Sequence, residues 1–563
     1  MGKERLASNQ SILLFIFLFF CAGGASAQQW IWGWQGKGNR FWEISVASDK
    51  QGNAYTTGTF GDTAVFGSYK LSTPPGTACT YIAKYDTSGN VIWAKQASMP
   101  TSYNNGNAIS IDNTGNSYVL GYFEDTVVFG SFTLIAPKGG FDMFLVKCDP
   151  NGNPIWAHQS NSPSAASQAS GSSLYTDKHG NIYVTGGFTD TVTFGSMSLY
   201  GSDFYIVKYN ANGNVIWAKQ SKGIGRVNSI TIDNLEYLYI TGEYNDSITL
   251  GSITQYSIGA NVFLAKYDTN GNVIWLRHSN AITTTSGGTG YSVVTDCGGN
   301  PYVAGVFSDT ISFGSVNLIS TKNNPDAFLV KYDESGNVIW AKQSIENGTC
   351  YAQSLATDEY SHVFLSGIGW LDTLRFGSYI LPAKLSSGST FLVEFDTSGN
   401  AQCGSIFDSP DQTIYYKCNV ASSSTGSFVY LAGTMINDSV ECGKDTLLAL
   451  NGPYLARWEP CDIKVPPQEY AHNDCDSAFI PNAFTPNGDG LNDVFSPKGK
   501  CIVEYSMYIF NRWGSLIYNS NNKPWDGTIN GNLVQEDTYV YKMNIITGDS
   551  EEKDYIGRIT VLR

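Results

Sequence analysis

The chain has little of what most enzymes and metal proteins depend on. Only five histidines occur in 563 residues: His158, His179, His278, His362 and His472. No two of them stand at a metal-ligand spacing such as His-x-x-x-His. No Cys-x-x-Cys pair occurs among the 11 cysteines, which leaves zinc and thiol redox chemistry without support. A Gly-x-Ser-x-Gly elbow and a phosphate loop are also missing. Positive charge is scarce, since 34 Lys and Arg face 49 Asp and Glu for a net charge of −15. That excludes the basic face that nucleic acid requires. Long apolar runs are absent beyond the N-terminus, so no transmembrane span is expected. Apart from that segment, no window sustains an apolar period near 3.6, and helix should be scarce.

Glycine (59 residues), aromatics (13%) and repetition are abundant. The phrase Asp-Thr-x-x-Phe-Gly-Ser stands intact at 62–68, 125–131, 190–196, 309–315 and 372–378, with variants at 246–252 and 438–444. A period of about 60 residues means one supersecondary unit copied many times. Before each phrase lies a Gly-Asn-x-Tyr-Val-Thr-Gly stretch, closing at Gly58, Gly121, Gly186, Gly242, Gly305, Gly367 and Gly433. After it come a strand ending in Lys-Tyr-Asp and then Gly-Asn-Val-Ile-Trp-Ala-Lys-Gln, with Trp93, Trp156, Trp217, Trp275 and Trp340 in register and Cys403 in the sixth place.

Short segments rich in β-branched and aromatic residues read as strands, and Asp86-Thr87-Ser88-Gly89-Asn90 reads as a hairpin loop. Four short antiparallel strands per unit are the blade of a β-propeller. The expected fold class is all-β: a seven-bladed β-propeller over 28–460, then a small immunoglobulin-like β-sandwich. The seventh unit keeps Tyr454–Trp458 but lacks Gly-Asn-Val-Ile-Trp after it. The missing strand appears near the N-terminus as Trp30–Gln35, and its addition to the last blade would remove two open sheet edges. An open solenoid is the alternative.

Lys3 and Arg5, the apolar run Ile12–Phe20 and the small-residue site Ala25-Ser26-Ala27 read as a secretory signal peptide over 1–27. Ten cysteines follow it, an even number that permits disulfides in an exported chain. Six of them (Cys403, Cys418, Cys442, Cys461, Cys475, Cys501) cluster near the end of the repeats and could brace that junction. Cys148 replaces a repeat tyrosine and reads as a buried thiol. Residues 461–475 contain Val465-Pro466-Pro467 and read as a linker.

From 476 to 563 the sequence changes character. Phe484-Thr485-Pro486-Asn487-Gly488-Asp489-Gly490-Leu491-Asn492-Asp493, Phe510-Asn511-Arg512-Trp513-Gly514 and Trp525-Asp526-Gly527 follow in that order. These motifs resemble the gliding-motility-associated C-terminal domain, the type B sorting domain of the type IX secretion system. The resemblance implies an immunoglobulin-like β-sandwich, recognition by the type IX machinery at the outer membrane, and delivery to the cell surface or medium. The repeat region resembles the bacterial SBBP-type β-propeller repeats of surface proteins.

Asn487, Asp489, Asn492 and Asp493 have the look of a calcium loop, with oxygen ligands alternating around glycines. The full EF-hand spacing is absent, and an Asx-rich turn explains the same residues. The aspartates of the repeated phrase (Asp62, Asp125, Asp190, Asp246, Asp309, Asp372, Asp438) are expected to cap turns, with Oδ accepting backbone N–H groups. His158 and His278 follow the repeat tryptophans and read as surface variation. No convergent set of acids or histidines breaks the repeat, so no catalytic residue is assigned and the chain is read as not an enzyme. The expected function is a surface or secreted binding and adhesion module, taking a glycan or protein ligand through propeller loops. Candidate loops are Thr73–Thr80, Ala136–Phe141, Ser160–Gly171, Ala281–Gly290 and Ser320–Pro325. The alternatives are a secreted polysaccharide hydrolase or lyase and a structural spacer.

Overall fold

The computed structural model describes residues 30–98, 103–320, 324–345, 348–371, 373–381, 385–407, 418–423, 428–435, 440–442, 445–447, 452–460, 480, 483–486, 493–497, 502–529, 532–547 and 552–562. Strand follows strand, and no helix occurs among them. The signal-peptide region 1–27 and the linker 461–475 lie outside the described residues.

Each repeat unit forms one antiparallel sheet. Lys37–Ser48, Ala54–Phe66, Ala78–Tyr85 and Val91–Gln96 pair in that order. The next sheet is Asn104–Ile111, Ser117–Glu124, Phe141–Cys148 and Pro154–Gln159. Gln168–Thr176, Ile182–Thr189 and Asp203–Tyr209 pair with the first half of Val215–Ile232. The second half of that strand opens the following sheet with Leu238–Leu250, Asn261–Tyr267 and Val273–His278. Then come Gly287–Thr295, Pro301–Ser308, Asp326–Tyr332 and Val338–Gln343, followed by Thr349–Thr357, Val363–Leu371, Leu385–Phe395 and Ala401–Phe407. The last sheet joins Asn419–Ser422, Val429–Met435 and Gly452–Trp458 to Trp30–Gln35 from the other end of the chain. The pairing expected for the N-terminal strand is present: Trp32 stands opposite Arg457 and Gln35 opposite Tyr454.

The sheets pack face to face. The third strands Asn261–Tyr267 and Asp326–Tyr332 are buried at every residue, because alternate side chains meet a neighbouring sheet on either side. The fourth strands are the exposed edge, where Ile92, Ile155, Ile216 and Ile274 face solvent. The first strands of successive sheets touch one another, and the first strand of the last sheet touches Lys37–Ser48.

The repeated glycine has a steric reason. Asn107 is an extra residue in a β-bulge opposite Gly121, which draws the first strand close to the second. A Cβ on Gly121 would lie 1.8 Å from the carbonyl oxygen of Asn105. The bulged residues also bind sheet to sheet: Asn107 Nδ2 donates to Gly171 O at 2.7 Å, and Asn228 Nδ2 to Gly290 O at 2.9 Å.

A second latch lies near the sheet edges. Trp93 Nε1 donates to Pro150 O (3.0 Å), Trp217 Nε1 to Thr269 O (3.1 Å) and Trp275 Nε1 to Glu334 O (3.2 Å), each a hairpin carbonyl of the next sheet. Trp32 makes the same bond to Thr87 O at 3.0 Å, from the last sheet to the first. Ser48 Oγ to Ser422 O (2.9 Å), Tyr430 OH to Gly52 O and Asn419 Nδ2 to Ile44 O join the same two sheets.

The C-terminal part is also all-β. Ala483–Phe484 runs parallel to Glu552–Val561, which pairs with Thr538–Thr547, Ile502–Phe510 and Leu516–Asn521 in order. Phe484, Phe495, Met507, Ile509, Trp525, Met543, Ile545 and Ile559 form its core. Among the described residues this is one five-stranded sheet with a short ribbon, Thr528–Ile529 against Asn532–Leu533.

Candidate ligand-binding face

Antiparallel order sends the connections to two different ends of the sheets. Among the described residues one end carries tight hairpins. An aspartate, or Asn210 in the third sheet, collects backbone N–H groups there, as Asp86 Oδ1 does from Ser88 (2.9 Å) and Asn90 (2.8 Å). Burial works against the Asp86 charge, but these bonds outweigh it and hold the carboxyl below its usual range. The hairpins between first and second strands add a lysine and a tyrosine. Lys331 Nζ is 3.1 Å from Asp296 Oδ2 and sits over the Tyr302 ring at 4.9 Å. Lys84, Tyr55 and Asp49, and Lys266, Tyr239 and Asp233, repeat the arrangement. A group copied in sheet after sheet serves the scaffold.

The sixth sheet departs from this pattern. Phe364 replaces the tyrosine, Glu394 the lysine, and His362 the asparagine. His362 Nδ1 lies 2.9 Å from Asp358 Oδ2 and 3.7 Å from Glu394 Oε1. Burial disfavours the imidazolium, yet the hydrogen bond and charge of Asp358, with Glu394, raise the pKa above its ordinary value. A basic side chain lost at the lysine position is thus regained at the asparagine position. Cys403 Sγ lies 3.5 Å from Glu394 Oε2, and Cys403 is disulfide-bonded. The sequence reading missed this group, because its members are far apart in the chain. The signal was the simultaneous loss of Lys, Tyr and Trp from one repeat.

The opposite end carries the irregular connections, including four of the candidate loops and the described ends, Ser320 and Pro325, of the fifth. Between the fourth and fifth sheets, Ser257–Ala260, Thr284–Thr289, Asn245, Asp246, Ser308, Pro325 and Tyr351 enclose a cleft of about 650 Å³. That is within the range of small-ligand sites. It draws residues from two of the predicted segments, Ala281–Gly290 and Ser320–Pro325. A second cleft of about 470 Å³ is lined by Tyr122, Phe141, Gln168, Asp203 and Arg226 among others. Burial raises the Asp203 carboxyl above its usual pKa, against bonds from Gly223 and Gln220. Aromatic pairs flank both clefts: Tyr351 and Trp370 meet edge to face at 6.1 Å, and Tyr122 and Phe141 at 5.6 Å. The first strands surround a central cavity of about 740 Å³ lined by Asn107, Asn228, Ser229, Ser292, Ser354 and other small or neutral groups.

The repeated aspartates stand on the excursions at this end, and their chemistry differs from the expected turn cap. Asp62, Asp125, Asp190, Asp246 and Asp309 take φ between 57 and 62°, the left-handed region that Asp tolerates better than most residues. Their backbone carbonyls close the excursion, as Asp125 O accepts from Ala136 N and Asp309 O from Ser320 N, both at 2.7 Å. Where the carboxylates are engaged, hydroxyls donate: Ser167 Oγ to Asp190 (2.8 Å) and Ser286 Oγ to Asp309 (2.9 Å). Asp372 and Asp438 lie outside the described residues.

Two histidines are packed instead of being surface variation. His158 lies against Trp156 at 4.9 Å, and burial lowers its pKa. His278 bonds Ser279 O at 2.8 Å through Nδ1 and meets Tyr244 edge to face. Cys148 is the buried thiol expected, pushed up to about 12 by burial. Cys418 is a buried free thiol rather than a bridging residue, also pushed to about 12. Of the calcium candidates, Asn487, Asp489 and Asn492 lie outside the described residues, and Asp493 is half-buried. Among the described residues no cluster of three or more His, Cys, Asp or Glu is placed to hold a metal ion.

The C-terminal motifs decide where the protein goes. Residues 478–561 match the CHU_C type IX secretion signal domain. The chain is therefore an exported protein, sent to the cell surface or the extracellular space. No helix among the described residues is long and apolar enough to cross a membrane. An uncharacterized WD repeat-containing protein of Acanthamoeba polyphaga mimivirus is 25% identical over 367 residues. That match spans 57% of this chain but only 24% of the viral protein. A crystal structure of a protein of unknown function from Bacteroides caccae overlaps 58% of this chain and 89% of its own at a TM-score of 0.32 and 12% identity. A member of the duf4221 family from Bacteroides vulgatus overlaps 77% and 97%, with TM-score 0.30 and 9% identity.

Proposed function

We propose that the exported chain is a seven-bladed β-propeller followed by an immunoglobulin-like sorting domain, and that it acts as a non-enzymatic binding or adhesion module. The propeller reading is supported by the succession of touching first strands and by the pairing of Trp30–Gln35 with Gly452–Trp458. The observation that carries the binding role is the division of labour between the two ends of the sheets. Tight hairpins occupy one end, while irregular loops and clefts gather at the other. The cleft beside Thr284–Thr289 offers hydroxyls, Asn245 and Asp246 next to aromatic rings, a lining suited to a polar ligand such as a glycan.

A polysaccharide hydrolase or lyase needs a convergent set of acids or histidines open to substrate. The Asp358, His362 and Glu394 group breaks the repeat but sits at the hairpin end, with Glu394 fully buried. Glycan-array binding by the mature chain from Gln28 tests the reading. Binding without turnover is expected. Turnover of any bound glycan would contradict it, and silence across glycan and protein ligands would favour a structural spacer.

A further inference from the structure

The C-terminal domain presents a side chain that its own folding does not require. Asn511-Arg512-Trp513-Gly514-Ser515 is the same Asx-held hairpin that recurs in the repeats. Asn511 Oδ1 accepts from Trp513 N (3.0 Å) and Ser515 N (2.9 Å), and Gly514 N donates to Asn511 O at 2.9 Å. In the corresponding repeat hairpins, between third and fourth strands, the residue at the Trp513 position is Ser88, Asn151, Asn212, Asn270, Ser335 or Ser398, whereas those between first and second strands also take Leu235 and Tyr360. The turn is therefore satisfied by small polar tips. Here the tip is a tryptophan, 84% exposed.

The hairpin is also pinned in place. Arg512 Nε donates to Asp537 Oδ2 at 2.8 Å, and Nη2 reaches the same oxygen. The backbone beneath Trp513 is thus held by its own turn and this pair, so a partner burying the indole would order the side chain and little of the backbone.

The neighbouring sheet face continues the pattern. Tyr508 stands opposite Lys542, which stands opposite Ile556, so the three form one cross-strand row. Two residues along, Leu516, Phe510 and Val540 form a second row on the same face. Tyr508 (38%), Leu516 (51%), Val540 (36%) and Ile556 (73%) remain exposed, while the opposite face builds the core. Contiguous exposed apolar side chains of this kind mark interaction surfaces. Lys542, paired with Asp554 at 3.4 Å, and Arg558 are exposed among them.

We infer that the Trp513 hairpin and the outer face bearing Tyr508, Leu516, Val540 and Ile556 form the surface by which a protein of the type IX secretion machinery grips this chain. The domain's identity as a secretion signal supplies the occupant. The chemistry supplies its character: an apolar groove deep enough for an indole, with a carboxylate opposite Arg558. An exposed aromatic anchor on a rigid turn is the usual form of a binding hot spot. The inference stands on export alone and is independent of the ligand proposed for the loop face.

The test uses the full chain in a cell with a working type IX system. Surface-exposed protein is scored by protease treatment of intact cells against total protein. Trp513→Ser, which installs the residue of the repeat hairpins, should lower the displayed fraction by about tenfold or more, as expected for loss of a hot spot, with the chain held in the periplasm. Its denaturation midpoint and loop-face ligand binding should match wild type, which separates a recognition defect from misfolding. Wild-type display of a folded Trp513→Ser/Ile556→Ser double variant would overturn the inference. So would a double variant that lost only self-association.

Discussion

Replacing Trp32 by alanine tests the seam between the chain ends. Trp32 is 6% exposed, bonds Thr87 O at 3.0 Å and lies 6.0 Å from the Tyr430 ring. A Cβ on Gly89 of the first sheet would come within 2.9 Å of its indole. Removing such a buried ring costs about 3–5 kcal/mol, and the lost hydrogen bond about 1 more. These terms overlap, so a loss of about 4 kcal/mol is expected. Trp93 makes the same latch inside the chain, also 6% exposed and 3.0 Å from Pro150 O. Trp93→Ala should therefore cost about as much. The assay is guanidinium unfolding of the protein, comparing midpoints and slopes. If Trp32→Ala stayed within about 0.5 kcal/mol of wild type while Trp93→Ala fell by several, the N-terminal strand would be a loose arm and the seam argument would fail.

Three other outcomes follow from the same structure. Gly121→Ala should cost more than about 4 kcal/mol or abolish folding, read by soluble yield and circular dichroism, because its Cβ meets a backbone carbonyl; Gly139→Ala, with nothing within 4 Å, should lose only about 1 kcal/mol. His362 has a raised pKa in the folded chain, so its contribution is fully present below the ordinary histidine range and is lost as pH rises through the raised value. His362→Gln should flatten the pH dependence of the unfolding midpoint from the ordinary histidine range upward, and an unchanged slope would contradict the Asp358–His362–Glu394 coupling. Alkylation of the native protein near neutral pH should spare Cys79, Cys148 and Cys418, whose thiols burial pushes up to about 12, and label them only after unfolding, as read by mass spectrometry.

Much of the scaffold was legible because it is written many times. Strand identity, the hairpin loops and the N-terminal strand that joins the last sheet all follow from register, since each unit repeats the same strand and turn chemistry. Register also marked the repeated glycine, but only the bulge at Asn107 explains why a side chain cannot stand there. The repeated aspartate shows a limit of the sequence reading. Its local role was visible, while its left-handed backbone and carbonyl closure were not, because Asx residues support several turn geometries. Single departures were harder still. Phe364, Glu394 and His362 look like ordinary drift until the fold brings them together around Asp358. On the loop face, composition pointed to candidate segments, but the cleft depends on how the fourth and fifth sheets stand beside each other. Trp513 passed as part of a sorting motif; its size and exposure set it apart from the small polar tips of the hairpins between third and fourth strands.

The most direct measurement compares the full chain with one ending before Asp476, using protease accessibility on intact cells together with periplasmic fractionation. The shortened chain should fold, keep its denaturation midpoint for the repeat region and remain in the periplasm. Normal display of that shortened chain at the cell surface would contradict the export account.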